Sequence, residues 1–411
     1  MNGSGILNAV AVLLAAVITI AVGIYGGRRS RTTSDFLVAS RSVGSRANAT
    51  AITGEYLSAA SFLGVAGYVA KYGADALWYP VGFTAGYLGL LMFVAAPLRR
   101  SGAYTVPDFA EFRLSSHRAR TAAMLVVVLI CVLYLIPQFQ GAGQALHILL
   151  DIPPWVGAVG VGTIVIINVV SGGMRSITFV QAIQYWLKLT AIAIPALVLL
   201  AVFAGDRSDL GGPAPPRVST ATTVDITVDV AVEVTDPQGV TVDGRVDEDD
   251  VRGQVLGAGT HTLGAGTTLT LDAGAATPVV TGAPATGTEW LTSGRGLGGG
   301  HPLYQVLSLI VATFLGTMGL PHVLVRFYTN PDGRSARRTA LTVIALLSLF
   351  YLFPLVLGVF ARLYVPELLI TGNADAAELL ARPRMTDMRM STTIITIIST
   401  SLTPAASVWP C

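Results

Sequence analysis

The residues Gly54-Glu-Tyr-Leu-Ser-Ala-Ala-Ser-Phe-Leu-Gly64 put a carboxylate, two serine hydroxyls and two glycines into a stretch otherwise apolar enough to lie in a membrane. Glycine weakens a helix there, and hydroxyls can recapture the backbone groups that a break sets free. A broken helix turns carbonyls toward a cation and amides toward an anion. Glu55 adds an ionisable group, which at membrane depth is a functional candidate by default. The same small residues also suit a close-packing helix face, so both readings stay open. A second interruption, Gly316-Thr-Met-Gly-Leu-Pro-His322, leads to Arg326, and Pro137 with Gln138, Gln140, Gly141 and Gly143 suggests a third. Each alone fits a simple kink. Two interruptions in corresponding positions of two halves are the signature of an inverted-repeat transporter. Lys188 lies about 12 Å into its span at 1.5 Å per residue, deep for a charge even if it snorkels. It suits either a packing contact with a carboxylate or carbonyl, or the release and uptake of a proton.

These groups need a membrane scaffold, and the composition demands one. Over 411 residues, 52% are hydrophobic and only 12% charged, and mean hydropathy is +0.64; an ordinary soluble domain carries about 25% charge. A net charge of +2 gives no footprint for nucleic acid. Cys131 and Cys411 are too few for a disulfide framework or a thiolate metal site, and no HExxH, GxSxG or Walker loop is present, so an enzyme is not expected. Apolar stretches near 5–27, 47–70, 77–97, 121–146, 154–173, 180–205, 303–325 and 339–361 predict eight spanning helices. Fifteen arginines fall in the loops of one side, five within 28–46, five within 99–120, Arg175, and four within 326–338; the short opposite loops hold Lys71. This asymmetry puts the arginine-rich side in the cytoplasm and the N-terminus outside a multi-pass cell membrane protein.

The expected domains are a first transmembrane helix over 1–27, a core of spans two to six over 28–205, an insert over 206–300, spans seven and eight over 301–365, and a divergent tail over 366–411. The insert is rich in Gly, Thr, Asp and Pro, and by alternation it is extracytoplasmic. Val224, Ile226, Val228, Val230, Val232 and Val234 alternate with mainly polar residues, which predicts a half-buried strand. Val240-Thr-Val and Thr268-Leu-Thr-Leu predict further strands. The insert is either a cap that captures substrate or a loop with a modest β fold. The tail's 391–411 segment is barely long enough for a span, hydroxyl-rich and without a basic anchor, so it is not counted as a ninth span.

The chain resembles the sodium:solute symporter family, most closely its cation/acetate (monocarboxylate) branch. The resemblance runs through Ser34-Asp-Phe-Leu-Val-Ala, the Gly54–Gly64 motif, Tyr104-Thr-Val-Pro-Asp-Phe-Ala-Glu, Gly172-Gly-Met-Arg-Ser and Gly316-Thr-Met-Gly-Leu-Pro-His-Val-Leu-Val-Arg-Phe. It implies an all-α integral membrane protein, a leucine-transporter-like inverted-repeat bundle carrying the β-rich extracytoplasmic insert. The second repeat is expected to be incomplete, because five helices are needed and two follow the insert. The implied function is sodium- or proton-coupled uptake of a short monocarboxylate such as acetate, propionate or pyruvate, with no organic cofactor. The alternative is a non-transporting truncated fragment or a membrane sensory module of the same fold. By resemblance, the backbone carbonyls of Gly54 and Leu57 bind the cation, as sodium ligands or opposite the ammonium of Lys188, which occupies the ion's place in proton-coupled relatives of the fold. Candidate substrate contacts are Glu55, Tyr56, Ser58, Ser61, Phe83, Tyr134, Gln138, Thr317 and His322. The expected partners are the carboxylate and the lipid bilayer.

Overall fold

The computed structural model describes residues 3–28, 32–58, 60–203, 210–226, 228–295 and 301–370; the tail beyond 370 lies outside them. The helices are α1 (Gly3–Gly27), α2 (Thr33–Val38), α3 (Ser45–Tyr56), α4 (Val65–Tyr72), α5 (Trp78–Gly89), α6 (Ala95–Arg100), α7 (Val106–Leu114), α8 (His117–Leu150), α9 (Pro154–Val202), α10 (Gly287–Leu291), α11 (Pro302–Gly319), α12 (Pro321–Tyr328) and α13 (Gly333–Tyr364). Among the described residues, six helical stretches are long and apolar enough to cross a membrane: Asn8–Gly27, Val65–Arg100, His117–His147, Gly172–Val202, Pro302–Gly319 and Gly333–Tyr364. Pro154–Val170 is a shorter apolar helix. The difference from the eight expected spans has a physical cause. Span two is split into α3 and α4, and α4 continues through a 3₁₀ turn into span three. Spans five and six join as α9, bent at Gly173, whose φ of 54° and ψ of −142° are non-helical. A Cβ at Gly173 would meet the Phe36 ring and carbonyl within about 2.7 Å, so the bend brings α2 against α9.

Two of the three expected interruptions occur. α3 stops at Tyr56, and a π-helical turn over Ala60–Gly64 precedes α4. α11 and α12 meet at Leu320 (φ −63°, ψ 113°), with Pro321 opening α12, where its missing N–H costs no intrahelical bond. Pro137, by contrast, sits inside the unbroken 34-residue α8. Gly143 belongs to the α8–α9 contact instead: a Cβ there would come within 2.4 Å of the Pro154 carbonyl oxygen. A second π segment, Leu90–Val94, distorts span three and left no signal in its composition.

Two motifs quoted for the resemblance are helix starts. Thr32 with Asp35 and Thr105 with Asp108 form reciprocal capping boxes on α2 and α7. Asp35 also accepts from Ser40 and pairs with Arg175 at 3.2 Å, tying α2 to α9. The main core lies where α3, α4, α9, α12 and α13 meet, around Ile52, Leu57, Phe62, Tyr185, Phe327, Val343 and Phe350.

The insert folds into seven described strands: β1 (Thr222–Asp225), β2 (Val230–Val234), β3 (Val240–Val246), β4 (Asp249–Val255), β5 (Gly259–Leu263), β6 (Thr268–Leu271) and β7 (Val279–Val280). The sheet is antiparallel in the order β1-β6-β3-β5-β2-β7, with β4 on the other side of β3. The single strand expected over 224–234 is two. Val224 and Ile226 end one run and Val230, Val232 and Val234 form another, all buried, while Val228 is 42% exposed at the turn between them. Chain from beyond span eight completes this core: Ile370 is buried among the sheet's valines and leucines, and Leu369 packs on Val279 and Ala283.

Candidate functional site

The break in span two leaves specific backbone groups without helical partners. In a continuous helix the Ser58 amide would bond the Gly54 carbonyl. Here it donates to the Tyr56 carbonyl at 2.8 Å and to Ser61 Oγ at 2.8 Å. Ser61 Oγ in turn donates to the Ser58 carbonyl at 2.9 Å, and the Ser61 amide turns to Ser58 Oγ. The two serines therefore satisfy each other across the break, and the Gly54 and Leu57 carbonyls are freed.

Lys188 takes both. Its Nζ donates to Gly54 O at 2.9 Å and to Leu57 O at 2.8 Å, and the side chain is 1% exposed. Reach depends on how closely α3 approaches α9. A Cβ on Gly54 would lie 2.2 Å from the Gln181 carbonyl oxygen, so only glycine allows this contact.

Glu55, next along α3, is buried in an ion pair with Arg326 of α12, Oε2 to Nε 2.9 Å. Arg326 Nη1 donates to Thr178 Oγ1 on α9 at 2.7 Å. The pair thus joins both interrupted helices and α9. Below it, Asn48 Nδ2 donates to the Arg326 carbonyl and to Asn330 Oδ1, and Asn330 Nδ2 reaches Thr339 Oγ1 on α13. Arg99 donates to the Asn330 and Pro331 carbonyls. This network ties α3, α6, α12 and α13 together. Arg326, expected in a loop, is wholly buried.

Aromatic residues line the other side of the break. The Tyr56 ring meets Phe83 edge-on at 5.7 Å and Tyr87 at 5.9 Å, and its hydroxyl accepts from Tyr351 at 3.2 Å. Tyr134 of α8 lies 4.8 Å, ring to ring, from His322, the second residue of α12. His322 is buried, and its Nε2 has no hydrogen-bond partner. The Glu55 carboxylate is within electrostatic reach of Tyr87, Tyr134, Lys188 and His322, so these groups share one neighbourhood. Thr317 faces α5 and would meet a Cβ on Gly86 at 2.5 Å. Gln138 is half-buried on α8, one turn beyond Tyr134.

Sequence reasoning missed Arg326, Thr178, Asn48 and Tyr351. A single signal pointed to Arg326: Glu55 in a span calls for a basic partner. At the far end of span two, the insert makes contacts that nothing local announced. Trp290 Nε1 donates to the last-turn carbonyls of α4, Val69 at 2.8 Å and Ala70 at 3.0 Å. Arg362 of α13 stacks on the Trp290 ring and donates to the carbonyls of Pro284 and Thr286. Asp75 accepts from the amides of Gly294 and Arg295.

Paired discontinuous helices, with charges buried near their breaks in a bundle of membrane-length helices, are the architecture of inverted-repeat membrane proteins. The chain belongs to the sodium:solute symporter family, whose sequence profile matches residues 36–235 and 251–403. It is 32% identical over 384 residues to the monocarboxylic acid transporter of Corynebacterium glutamicum, covering 91% of this chain and 59% of that protein. It is 29% identical over 366 residues to the uncharacterized symporter YwcA of Bacillus subtilis, covering 89% and 58%. The chain thus spans about three-fifths of the length of these curated relatives. Its fold matches that of a Na+-coupled sialic acid symporter in a substrate-bound, outward-open state, with a TM-score of 0.61 at 14% identity over 98% of this chain and 70% of that one.

Proposed function

We propose that this chain carries out cation-coupled uptake of a short monocarboxylate such as acetate, propionate or pyruvate, and that the coupling ion is a proton carried by Lys188. The observation that carries this reading is the Lys188 ammonium seated on the Gly54 and Leu57 carbonyls at the break of span two. Those are the oxygens a sodium ion would need, and an ammonium on them leaves a sodium facing a like charge at contact distance. The name of the C. glutamicum relative supports the substrate class. Loss of the proton would remove the charge that strengthens both hydrogen bonds and so loosen α3 from α9, linking protonation and helix position through one side chain. A carboxylate at membrane depth needs positive compensation, and Lys188 with the amide ends at the breaks would supply it. Tyr56, Ser58, Ser61, Phe83, Tyr134, Gln138, Thr317 and His322 are the proposed substrate surroundings. Labelled acetate should accumulate in proteoliposomes under an inside-alkaline pH gradient and not under a sodium gradient at equal pH. Accumulation driven by sodium alone would return the site to a metal ion; none with well-folded protein would remove the transport reading.

A further inference from the structure

Arg326 is a fully buried guanidinium whose carboxylate partner, Glu55, belongs to the same chain and sits on the other interrupted helix. For the arginine-rich side to open, α3 must part from α12, and that motion separates the pair. A buried charge stripped of its partner is strongly disfavoured, so opening needs another anion at the guanidinium. The cargo proposed above is itself a carboxylate, the same chemical group as the Glu55 head.

We propose that Arg326 is the counter-charge of the transported carboxylate on its cytoplasmic route, and that Glu55 holds its place until the cargo arrives. Opening is then the exchange of one carboxylate for another on a single guanidinium, and the half-helix carrying Glu55 is freed by the exchange. The surroundings suit this. Thr178 Oγ1 holds Nη1 of Arg326 from α9, so the guanidinium stays in place when α3 leaves. Asn48 donates to the Arg326 carbonyl and to the Asn330 side chain below it, and these neutral bonds can part without uncovering a charge. Glu55 lies beside Gly54, whose carbonyl holds Lys188, so the displaced carboxylate stays close to a second cation. The inference rests on the monocarboxylate reading and adds to it the residue that receives the anion and the event that opens the path. A ligand shifts such an equilibrium only through its different affinity for the two states, and a carboxylate that replaces Glu55 binds the open state alone.

The test uses the full chain in nanodiscs, with Cys131→Ala and Cys411→Ser, and a reporter thiol at Ile52→Cys. Ile52 is buried and shares the face of α3 that carries Asn48 and Glu55. Labelling by a polar maleimide reads opening at constant pH. Glu55→Gln should speed labelling about tenfold or more without ligand. Acetate should speed labelling in the parent and in Arg326→Lys, which keeps the charge, and have no effect in Arg326→Gln. Slow labelling in Glu55→Gln would overturn the proposal, as would an undiminished acetate effect in Arg326→Gln. Acetate uptake in the same preparations separates the two readings. Uptake with an acetate effect that ignores Arg326 sinks this inference alone; no uptake and no acetate effect sinks both.

Discussion

At the scale of single residues, the close approach at Gly54 fixes what Lys188 can reach. Gly54→Ala would push a methyl into the Gln181 carbonyl, a backbone atom with little room to yield. The expected cost is about 1–3 kcal/mol, as for other overpacked contacts, seen as a lower melting temperature of the purified protein. Lys188→Ala removes the ammonium and leaves two carbonyls to water or a metal ion. It should abolish accumulation driven by a pH gradient while exchange of labelled for unlabelled acetate survives; proton-driven accumulation at the parent rate would eliminate Lys188 as the coupling group. The depth of Lys188 was legible from the sequence because a charge eight residues into an apolar span stands out. Its partners were not readable from spacing alone: carbonyls carry no letter in a sequence, and Gly54 and Leu57 came from the family resemblance. Arg326 was hidden for the opposite reason. A charge that follows a Gly-Pro interruption reads as loop, whereas α12 restarts at Pro321 and carries it back into the core.

At the scale of elements, the breaks in spans two and seven were legible because each combines glycine or proline with polar residues inside an apolar run. Pro137 was a false signal, since a long helix tolerates one missing hydrogen bond. The insert's strands followed from period-two valines, although alternation runs unbroken through the turn at Val228, and only the three-dimensional pairing divides β1 from β2. Its grip on the helices was illegible, because Trp290 and its acceptors are about 220 positions apart. Trp290→Phe keeps the ring but removes the donor, exposing two carbonyls at the end of α4. A loss of about 1–2 kcal/mol is expected, with faster amide exchange over residues 66–73 and unchanged exchange in β3 and β6. Protection that does not change would show that the ring alone seats α10. The sheet itself should be acid-sensitive. The Thr262 amide and the neighbouring His261 hold the Asp247 carboxyl below its usual range, and the Ala265 amide and Arg245 do the same for Asp229. Carboxyls with depressed folded values stabilise the sheet at neutral pH, and that contribution fades as pH falls below about 4 through the folded values. The insert's unfolding temperature should therefore drop between pH 6 and pH 3, and Asp247→Asn should reduce the drop.

At the scale of the whole molecule, the proposed topology puts the arginine-rich loops and the β insert on opposite sides of the membrane. A thiol at Leu114→Cys, exposed at the end of α7, should react with an impermeant reagent only in inverted vesicles. One at Asp249→Cys in β4 should react in intact cells. The reverse pattern would invert the proposed topology.

The sheet closes on residues that the ribosome delivers late. Residues 210–295 are synthesised before spans seven and eight, yet the valine-rich interior is sealed by Ile370 and flanked by Leu369, which emerge only after both crossings. During biosynthesis the β segment must therefore wait, with part of its apolar interior uncovered, until spans seven and eight and the residues after them have been made. Completion of the insert's interior thus depends on the helices that follow it, so that a late segment seals an early one.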